Sequence, residues 1–488
     1  MQSSIIFKNH PKGLVTLFLT EMWERMSYYG MRGILILFMI ASYESGGLNI
    51  DNVSASAIYG IYASTVYLAA LPGGWIADRL IGQQKAILFG GLIIMLGHIS
   101  LIFTNINAFY LGLILIVIGT GLLKPNISAI VGELYKGKEA LKDSGFTIFY
   151  MSINLGSILG FFICGYLGEN IGWHYGFSAS AIGMGFGLIQ FLIFRKYLGE
   201  VGTKPTFNLD QKTKRRDFYI LLISFVFFVS ISFGFFYNYI NFSAIEIANS
   251  LTGIITIIAL SFFLYVFKAG KLTNIEKKNM FLLIVLFFGA ALFWSGFDQG
   301  GSSLNIFAKE YTNRFIYGWE YPASWLQVIN PLFVVILSPF FAYLWIYLGK
   351  KMLEPHLTIK FGFGLILMAL GFVTISIGAT IALQYGSAGA QWLLITYLFH
   401  TLGELTISPV GLSAVSKLAP KRFLGQLMGI WFLASSLGAI IAGILSGKAT
   451  EVGIETMPNL FLQISYWSIG FGIILILLSR PIKNYTSS

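Results

Sequence analysis

Four stretches of the chain place ionisable residues inside otherwise apolar runs. The first reads Glu21-Met22-Trp23-Glu24-Arg25-Met26-Ser27-Tyr28-Tyr29-Gly30-Met31-Arg32. On a helix, residues 21, 24, 25, 28 and 32 share an arc of about 100°, with Tyr29 at its edge. Eleven steps of ~1.5 Å draw this polar stripe out over ~16 Å. Glu21 and Arg25 stand four residues apart and can pair within one helix. The other stretches hold Lys124 (Gly121-Leu122-Leu123-Lys124-Pro125), Asp298 (Trp294-Ser295-Gly296-Phe297-Asp298-Gln299) and Glu404 (Gly403-Glu404-Leu405). Such groups suit either bracing by buried ion pairs or binding of a ligand that carries both signs, with a carboxylate that moves a proton. A ladder that only braces needs neither Tyr28 nor a second arginine. Lys124 has about sixteen residues of its run before it and is too deep to reach an interface by snorkelling. For Asp298 and Glu404, a capping or kink-stabilising role stays open.

The elements that must hold these residues follow from composition. The chain has 488 residues, of which 56% are hydrophobic, 16% aromatic and only 11% charged. An average soluble domain carries roughly 25% charged residues, so this length of chain could not solvate its surface. With 54 Gly and 44 Phe as well, the composition is that of helices packed in lipid. A single Cys, Cys164, excludes a disulfide framework and a thiolate metal site. The five His show no metal-ligand spacing. We expect neither an enzyme nor a cofactor or metal site.

Apolar runs of transmembrane length, ~20 residues, fall at about 15–42, 54–78, 84–104, 108–134, 144–168, 172–198, 217–237, 247–268, 279–308, 323–349, 356–384, 389–416, 422–447 and 457–479. The first run lacks a small-residue cleavage site and is not a signal peptide. With both termini cytoplasmic, most Lys and Arg fall on inward segments, above all the seven from Arg195 to Arg216. Outward segments receive Lys309, Arg314 and Lys448. This agrees with the positive-inside rule for all fourteen spans together. The net charge of +11 is therefore topological, and a nucleic-acid partner is excluded. Arg25, Arg32 and Lys124 remain inside the runs, as do Glu21, Glu24, Asp298 and Glu404. Each costs ~2.5–3.5 kcal/mol at a helix centre, so they must face water or one another.

A charged linker, 199–216, follows six spans, and a second, 269–278, follows two more. The plain partition is an N-terminal six-helix bundle (1–198), a linker segment with two inserted transmembrane helices (199–278) and a C-terminal six-helix bundle (279–488). Two six-helix bundles are the major facilitator arrangement, with a central cavity. The expected class is thus an all-α membrane protein of fourteen transmembrane helices.

Several motifs resemble those of the proton-coupled oligopeptide transporter (POT) family. They are Glu21-x-x-Glu24-Arg25 with Tyr28-Tyr29-Gly30, the loop Gly74-Trp75-Ile76-Ala77-Asp78-Arg79-Leu80-Ile81-Gly82, and Phe149-Tyr150 with Ile153-Asn154 and Gly156-Ser157. Phe293-Trp294, Asp298-Gln299, Asn330-Pro331 and Gly403-Glu404 also match, so the likeness spans most of the chain. The resemblance implies that Arg25 and Lys124 hold a peptide carboxylate, with Glu404 taking the amine and Asn154 and Asn330 close by. It also implies cavity aromatics at Tyr28, Tyr29, Tyr67, Trp294 and Trp431, and a proton-linked Asp298 paired with Arg32. Asp298 stands where the family more often has Glu, one methylene longer. Loop 43–53 offers Glu44 and Asp51 but no cation for an outer gate against Glu310.

The residues agree with this on their own chemistry. A zwitterionic peptide presents one carboxylate, one ammonium and a uniform backbone. Arg25, Arg32 and Lys124 suit the first, Glu404 the second, and Asn amides the backbone. Each extended residue adds only ~3.3–3.6 Å, so fixing both ends limits length while aromatic walls tolerate varied side chains. The function expected is proton-coupled import of di- and tripeptides by a monomer in the bacterial inner membrane. Glu21, Glu24 and Asp298 carry the proton. One alternative is a facilitator for nitrate, a drug or another anion, which leaves Glu404 without a partner. Another is an antiporter-like subunit of a respiratory enzyme, which needs more ionisable residues in the second bundle than Asp298, Glu404 and a core His400.

Overall fold

The computed structural model describes residues 7, 9–236, 239 and 241–479. Lys8, Arg480 and Lys483, counted among the inward charges, lie outside these residues. Helices dominate: α1 (Lys12–Ile40), α2 (Asn52–Ile76), α3 (Gln83–Leu101), α4 (Ile106–Leu134), α5 (Lys142–Tyr166), α6 (Trp173–Phe194) and α7 (Gln211–Phe236) come first. There follow α8 (Ala244–Ala269), α9 (Asn274–Phe297), the short α10 (Ser303–Glu310), α11 (Ile329–Lys350), α12 (Leu357–Tyr385), α13 (Gln391–Leu418), α14 (Leu424–Thr450) and α15 (Met457–Leu477). Among the described residues, twelve helical segments are long and apolar enough to cross a membrane. The other two long helices are α1, whose Glu21, Glu24, Arg25 and Arg32 break its apolarity, and α7, which is charged up to Asp217 and almost wholly apolar from Phe218. The fourteen helices expected from hydropathy are present.

One expected boundary needs correction. The run 279–308 is not one continuous helix: α9 stops at Phe297, a tight 3-10 turn spans Asp298–Gly301, and α10 begins at Ser303. Buried Gln299 explains why the break holds. Its amide donates to the Ser295 carbonyl (3.3 Å) and to the Ala442 carbonyl of α14 (3.1 Å), while Ser303 Oγ donates to its Oε1 (2.5 Å). The backbone groups freed by the turn are replaced by a side chain anchored on a neighbouring helix. Similarly, 323–328 form a 3-10 turn ahead of α11. Pro331 then sits in the first turn of α11, where no backbone donor is required. Four two-residue strands, absent from the hydropathy reading, tie the loops near 312–320 and 388–389. One pair is a hairpin turning through Tyr317 and Gly318, both at positive φ.

The chain forms two compact units. One comprises residues up to Ile34, Ser42–Leu48 and Thr65–Ser243; the other comprises Leu35–Ala41, Asn49–Ser64 and Ala244 onwards. The boundary therefore runs through α1 and α2. In the first unit, α2 and α5 end alike. Each closes in a five-residue π turn, Ala77–Ile81 and Leu167–Ile171, with an acid in its first turn and a glycine that starts the next helix. The linker lies against the first of these turns. Thr206 Oγ1 donates to Asp78 Oδ1 (2.8 Å), and Arg79 Nε donates to buried Asp217 Oδ2 of α7 (2.7 Å).

In the second unit, the first half of α2 lies directly on α14. Gly60 and Gly443 meet backbone to backbone, flanked by Ser56–Ser446 (3.0 Å) and Ser64–Ser436 (2.7 Å) hydroxyl bonds. The inserted helix α8 joins this unit through a stripe of small and apolar residues, Ala248, Ile255, Ala259, Phe263 and Val266, all buried.

Candidate functional site

The first unit gathers most of the expected residues around α1. Arg25 is buried between two carboxylates of its own helix. Its Nε donates to Glu21 Oε1 at 2.8 Å and lies 2.6 Å from Glu24 Oε2. The i,i+4 pairing expected from spacing is present, and the adjacent Glu24 adds a second. Glu24 is fully buried and Glu21 and Arg25 are 2% exposed, so the triad has left bulk solvent. Three buried charges survive in such a place only through mutual pairing.

Neighbouring helices fix the triad by close approach. Gly156 of α5 lies against α1 so tightly that a Cβ there would stand 2.3 Å from the Met22 carbonyl and 2.7 Å from Arg25 Cβ. Ile153-Asn154-Leu155-Gly156-Ser157 is thus a packing motif as well as a polar one, since only glycine permits this contact. Asn154, 7% exposed, spends one amide hydrogen on the Tyr150 carbonyl of its own helix (3.2 Å). On the other side, α2 and α4 cross at Gly73 and Gly121, where a Cβ on Gly73 would stand 1.9 Å from the Gly121 carbonyl. Asn126 ties that crossing through the Leu122 (2.7 Å) and Gly73 (3.4 Å) carbonyls.

This crossing brings Lys124 over the Tyr67 ring, with Nζ 4.9 Å from its centroid. Lys124 is half-buried and within electrostatic reach of Arg25, Glu24, Glu21 and Arg32. Tyr28 lies beneath the Arg25 guanidinium (5.4 Å) and edge-on to Tyr29 (5.2 Å). Cation–π contact supplements the ion pairs. Glu21, Glu24, Arg25, Tyr28, Tyr29, Arg32, Tyr67, Lys124 and Asn154 thus all belong to this unit.

The second unit holds Trp294, Asp298, Asn330, Glu404 and Trp431. Asn330 Nδ2 donates to Glu404 Oε2 and to Thr401 Oγ1, both at 3.0 Å, which joins α11 to α13. Asp298 is 2% exposed in the turn between α9 and α10. Trp294 packs edge-on to Phe293 (5.6 Å) and Phe297 (5.3 Å), with its Cβ against Gly438 of α14. Trp431 sits on Gly411 of α13 and edge-on to Phe361. His400 is buried against Phe372 (4.9 Å), the core position expected of it.

Two participants escaped the residue-type reading. Thr401 lies one turn before Glu404, on the same helical face, and that i,i+3 spacing was the available signal. Gln299 adjoined Asp298, but its role depends on α14, far off in sequence. Among the described residues no group of three or more His, Cys, Asp or Glu could hold a metal ion.

Comparison with known proteins settles the family. The model of the POT family matches residues 84–460. The chain belongs to the POT family. It is 41% identical over 496 residues to the peptide transporter YePEPT of Yersinia enterocolitica subsp. palearctica, covering 98% of this chain and 96% of that protein. It is 37% identical to a di-/tripeptide transporter of Lactococcus lactis subsp. cremoris, covering 98% and 96%. The solved structure of a peptide transporter POT in complex with sulfate superposes with a TM-score of 0.92 at 37% identity, covering 99% of this chain and 97% of that one. A POT family transporter in complex with 5-aminolevulinic acid gives 0.89 at 35%, covering 99% and 98%. This POT member is accordingly a multi-span membrane transporter with the fold of those structures.

Proposed function

We propose that this chain is a proton-coupled symporter that imports di- and tripeptides by alternating access. The observation that carries the reading is an incomplete set of buried partners around Arg25. Its Nη2, with Glu21 Oε2 and Glu24 Oε1, is buried and makes no hydrogen bond among the described residues. A buried guanidinium nitrogen without an acceptor calls for an explanation, and a substrate carboxylate supplies one. Arg25 and Lys124 take the peptide carboxylate, and Glu404, presented by Asn330, takes the ammonium. Tyr28, Tyr29, Tyr67, Trp294 and Trp431 receive side chains, while Asn154 and Asn330 meet the peptide backbone. The relatives named for peptide transport support this substrate class.

Protonation of Asp298, and secondarily of Glu21 or Glu24, loosens its hold on Arg32 or Arg25 and frees a cation for substrate. An inward unit charge gains about 2.3 kcal/mol per 100 mV, roughly fifty-fold in concentration. The working units are the bundles 1–198 and 279–488, joined by 199–278 and acting as a monomer in the bacterial inner membrane, with both termini cytoplasmic. A purely anionic substrate such as nitrate leaves Glu404 without a counter-charge. In proteoliposomes, labelled dialanine counterflow is expected to be competed by di- and tripeptides and not by nitrate or sugars. Asp298→Asn should keep counterflow while losing uptake driven by an imposed pH gradient. Competition by nitrate alone, or unchanged gradient-driven uptake in Asp298→Asn, contradicts the corresponding half of the proposal.

A further inference from the structure

The inserted helix α7 is pinned at its base and bare above it. Asp217, 1% exposed, accepts from Arg79 of the turn after α2 at Oδ2 (2.7 Å) and from Arg216 of its own helix at Oδ1 (3.0 Å). From Phe218 onwards the helix is apolar, and Phe218, Ile220, Leu222, Ile223, Val226 and Phe227 are all exposed. A helix this apolar and this exposed, in a chain that spans the membrane, is surrounded by acyl chains.

The step from Asp217 to Phe218 therefore marks the edge of the hydrocarbon and fixes the depth of what precedes it. Arg216, Arg215 and Lys212 stand two, three and six residues before Phe218. At ~1.5 Å per residue they lie ~3, ~4.5 and ~9 Å further out. The headgroup layer of one leaflet is roughly 5–8 Å thick, from ~40–45 Å for the whole bilayer and ~30 Å for its core. The two arginines thus sit within the phosphate layer, and a lysine side chain reaches back to it from the outer edge.

These cations also share a face. Lys212, Arg215, Arg216 and Tyr219 follow i, i+3, i+4, i+7 spacing and fall within an arc of about 100°. All four are exposed. Asp217 points ~150° away from the middle of that arc, so its bond to Arg79 turns the basic face away from the rest of the unit. Arg215 lies over the Tyr219 ring, 5.9 Å from its centroid, where an interfacial tyrosine belongs. Neither Lys212 nor Arg215 pairs with an acid among the described residues. The nearby acids are already engaged: Asp217 by two arginines, and Asp210 by the Thr213 backbone N–H (3.3 Å).

We infer that this face of α7 binds the headgroup of an anionic phospholipid from the leaflet in which the helix begins. The phosphate oxygens accept from Lys212, Arg215 and Arg216, and the acyl chains run along the exposed apolar surface beyond Phe218. Arginine forks suit a phosphate in particular. A zwitterionic headgroup brings its own ammonium, which the same cations repel, so the site selects net negative charge. The site is separate from the peptide-binding residues and gives the inserted helix a role of its own.

The test is native mass spectrometry of the full chain released from phosphatidylcholine bilayers that contain increasing dioleoylphosphatidylglycerol. Wild type should retain phosphatidylglycerol in preference to phosphatidylcholine. Lys212→Gln with Arg215→Gln should weaken that retention by up to roughly thirty-fold, at about fivefold for each basic residue facing an anionic leaflet. Lys212→Arg with Arg215→Lys should retain it as wild type does, and so should Lys277→Gln with Lys278→Gln, which removes two exposed lysines at the start of α9. Millimolar glycerol phosphate should displace none of it. A second readout needs no variant: in wild type, hydrogen exchange of backbone amides 206–219 should slow as phosphatidylglycerol is added, while that of 269–278 stays unchanged. Equal losses in the two glutamine pairs, unaltered retention in the first pair, displacement by glycerol phosphate, or exchange at 206–219 indifferent to phosphatidylglycerol overturns the site.

Discussion

In the first unit, a carboxylate meets its counter-charge one turn away on its own helix; Glu21, Glu24 and Arg25 are paired before any neighbour is considered. In the second, Glu404 is held by the neutral amide of Asn330, which it shares with Thr401. At mid-span the first unit carries Arg25, Arg32 and Lys124 against Glu21 and Glu24, a surplus of positive charge. Asp298 and Glu404 give the second a surplus of negative charge. A ligand with a carboxylate at one end and an ammonium at the other complements both. The difference also teaches how buried charge is tolerated. Pairing along one helix is local and strong, whereas an acid held by neutral donors leaves its charge available to a ligand.

Four substitutions can break or sharpen this contrast, taken from the largest effect downwards. Arg25→Ala leaves Glu21 and Glu24 buried without a counter-charge. Removing one partner of a buried pair costs about 3–5 kcal/mol, so the melting temperature should fall and dialanine uptake should drop by about 100-fold or more. Retained uptake would show that the triad only braces α1. Gly156→Leu forces α5 away from α1 and should destabilise by about 1–3 kcal/mol, with dialanine binding weakened through displacement of Arg25. A folded variant with unaltered affinity would separate the helix crossing from the site. Thr401→Val removes one of the two acceptors of Asn330 and should weaken binding by up to about tenfold, for a loss of ~0.5–1.5 kcal/mol. Stability should change little, unlike Arg25→Ala.

The smallest effect belongs to a control outside the membrane. Partial burial raises the Asp51 carboxyl, but hydrogen bonds from Ser54, whose backbone N–H lies 2.8 Å away, outweigh it and hold the group below its ordinary 3.8. A depressed carboxyl stabilises the fold above its unfolded pKa and loses that contribution as pH falls through the folded value. Asp51→Asn should therefore lower the melting temperature slightly at pH 7, with the gap narrowing below about pH 4. Uptake at pH 7 should be unaffected. A gap that grows on acidification contradicts the assignment.

The sequence makes the helices and the α1 triad legible because both rest on local spacing: apolar length for the first and a four-residue interval for the second. Contacts set by distant residues were not legible in the same way. The break after Phe297 falls at Asp298 inside an apolar run, and what fixes it is the bond from Gln299 to the Ala442 carbonyl of α14, 143 residues away. Arg79 reads as a loop cation until α7 brings Asp217 to it. The family resemblance implied that Asn330 lies near the site of Glu404 but named no bond between them, and spacing could not supply one, because 74 residues separate the two. Gly156 and Gly73 look like composition until the crossings show which backbone each must admit.

The most direct test uses peptide ends instead of protein charges alone. Binding of dialanine, N-acetyl-dialanine and dialanine amide is measured for wild type and Glu404→Gln in the same bilayer. If the two units each take one terminus, wild type rejects both blocked peptides, whereas Glu404→Gln loses its preference against the acetylated peptide and keeps its preference against the amide. Equal loss of both preferences, or loss of neither, contradicts the account.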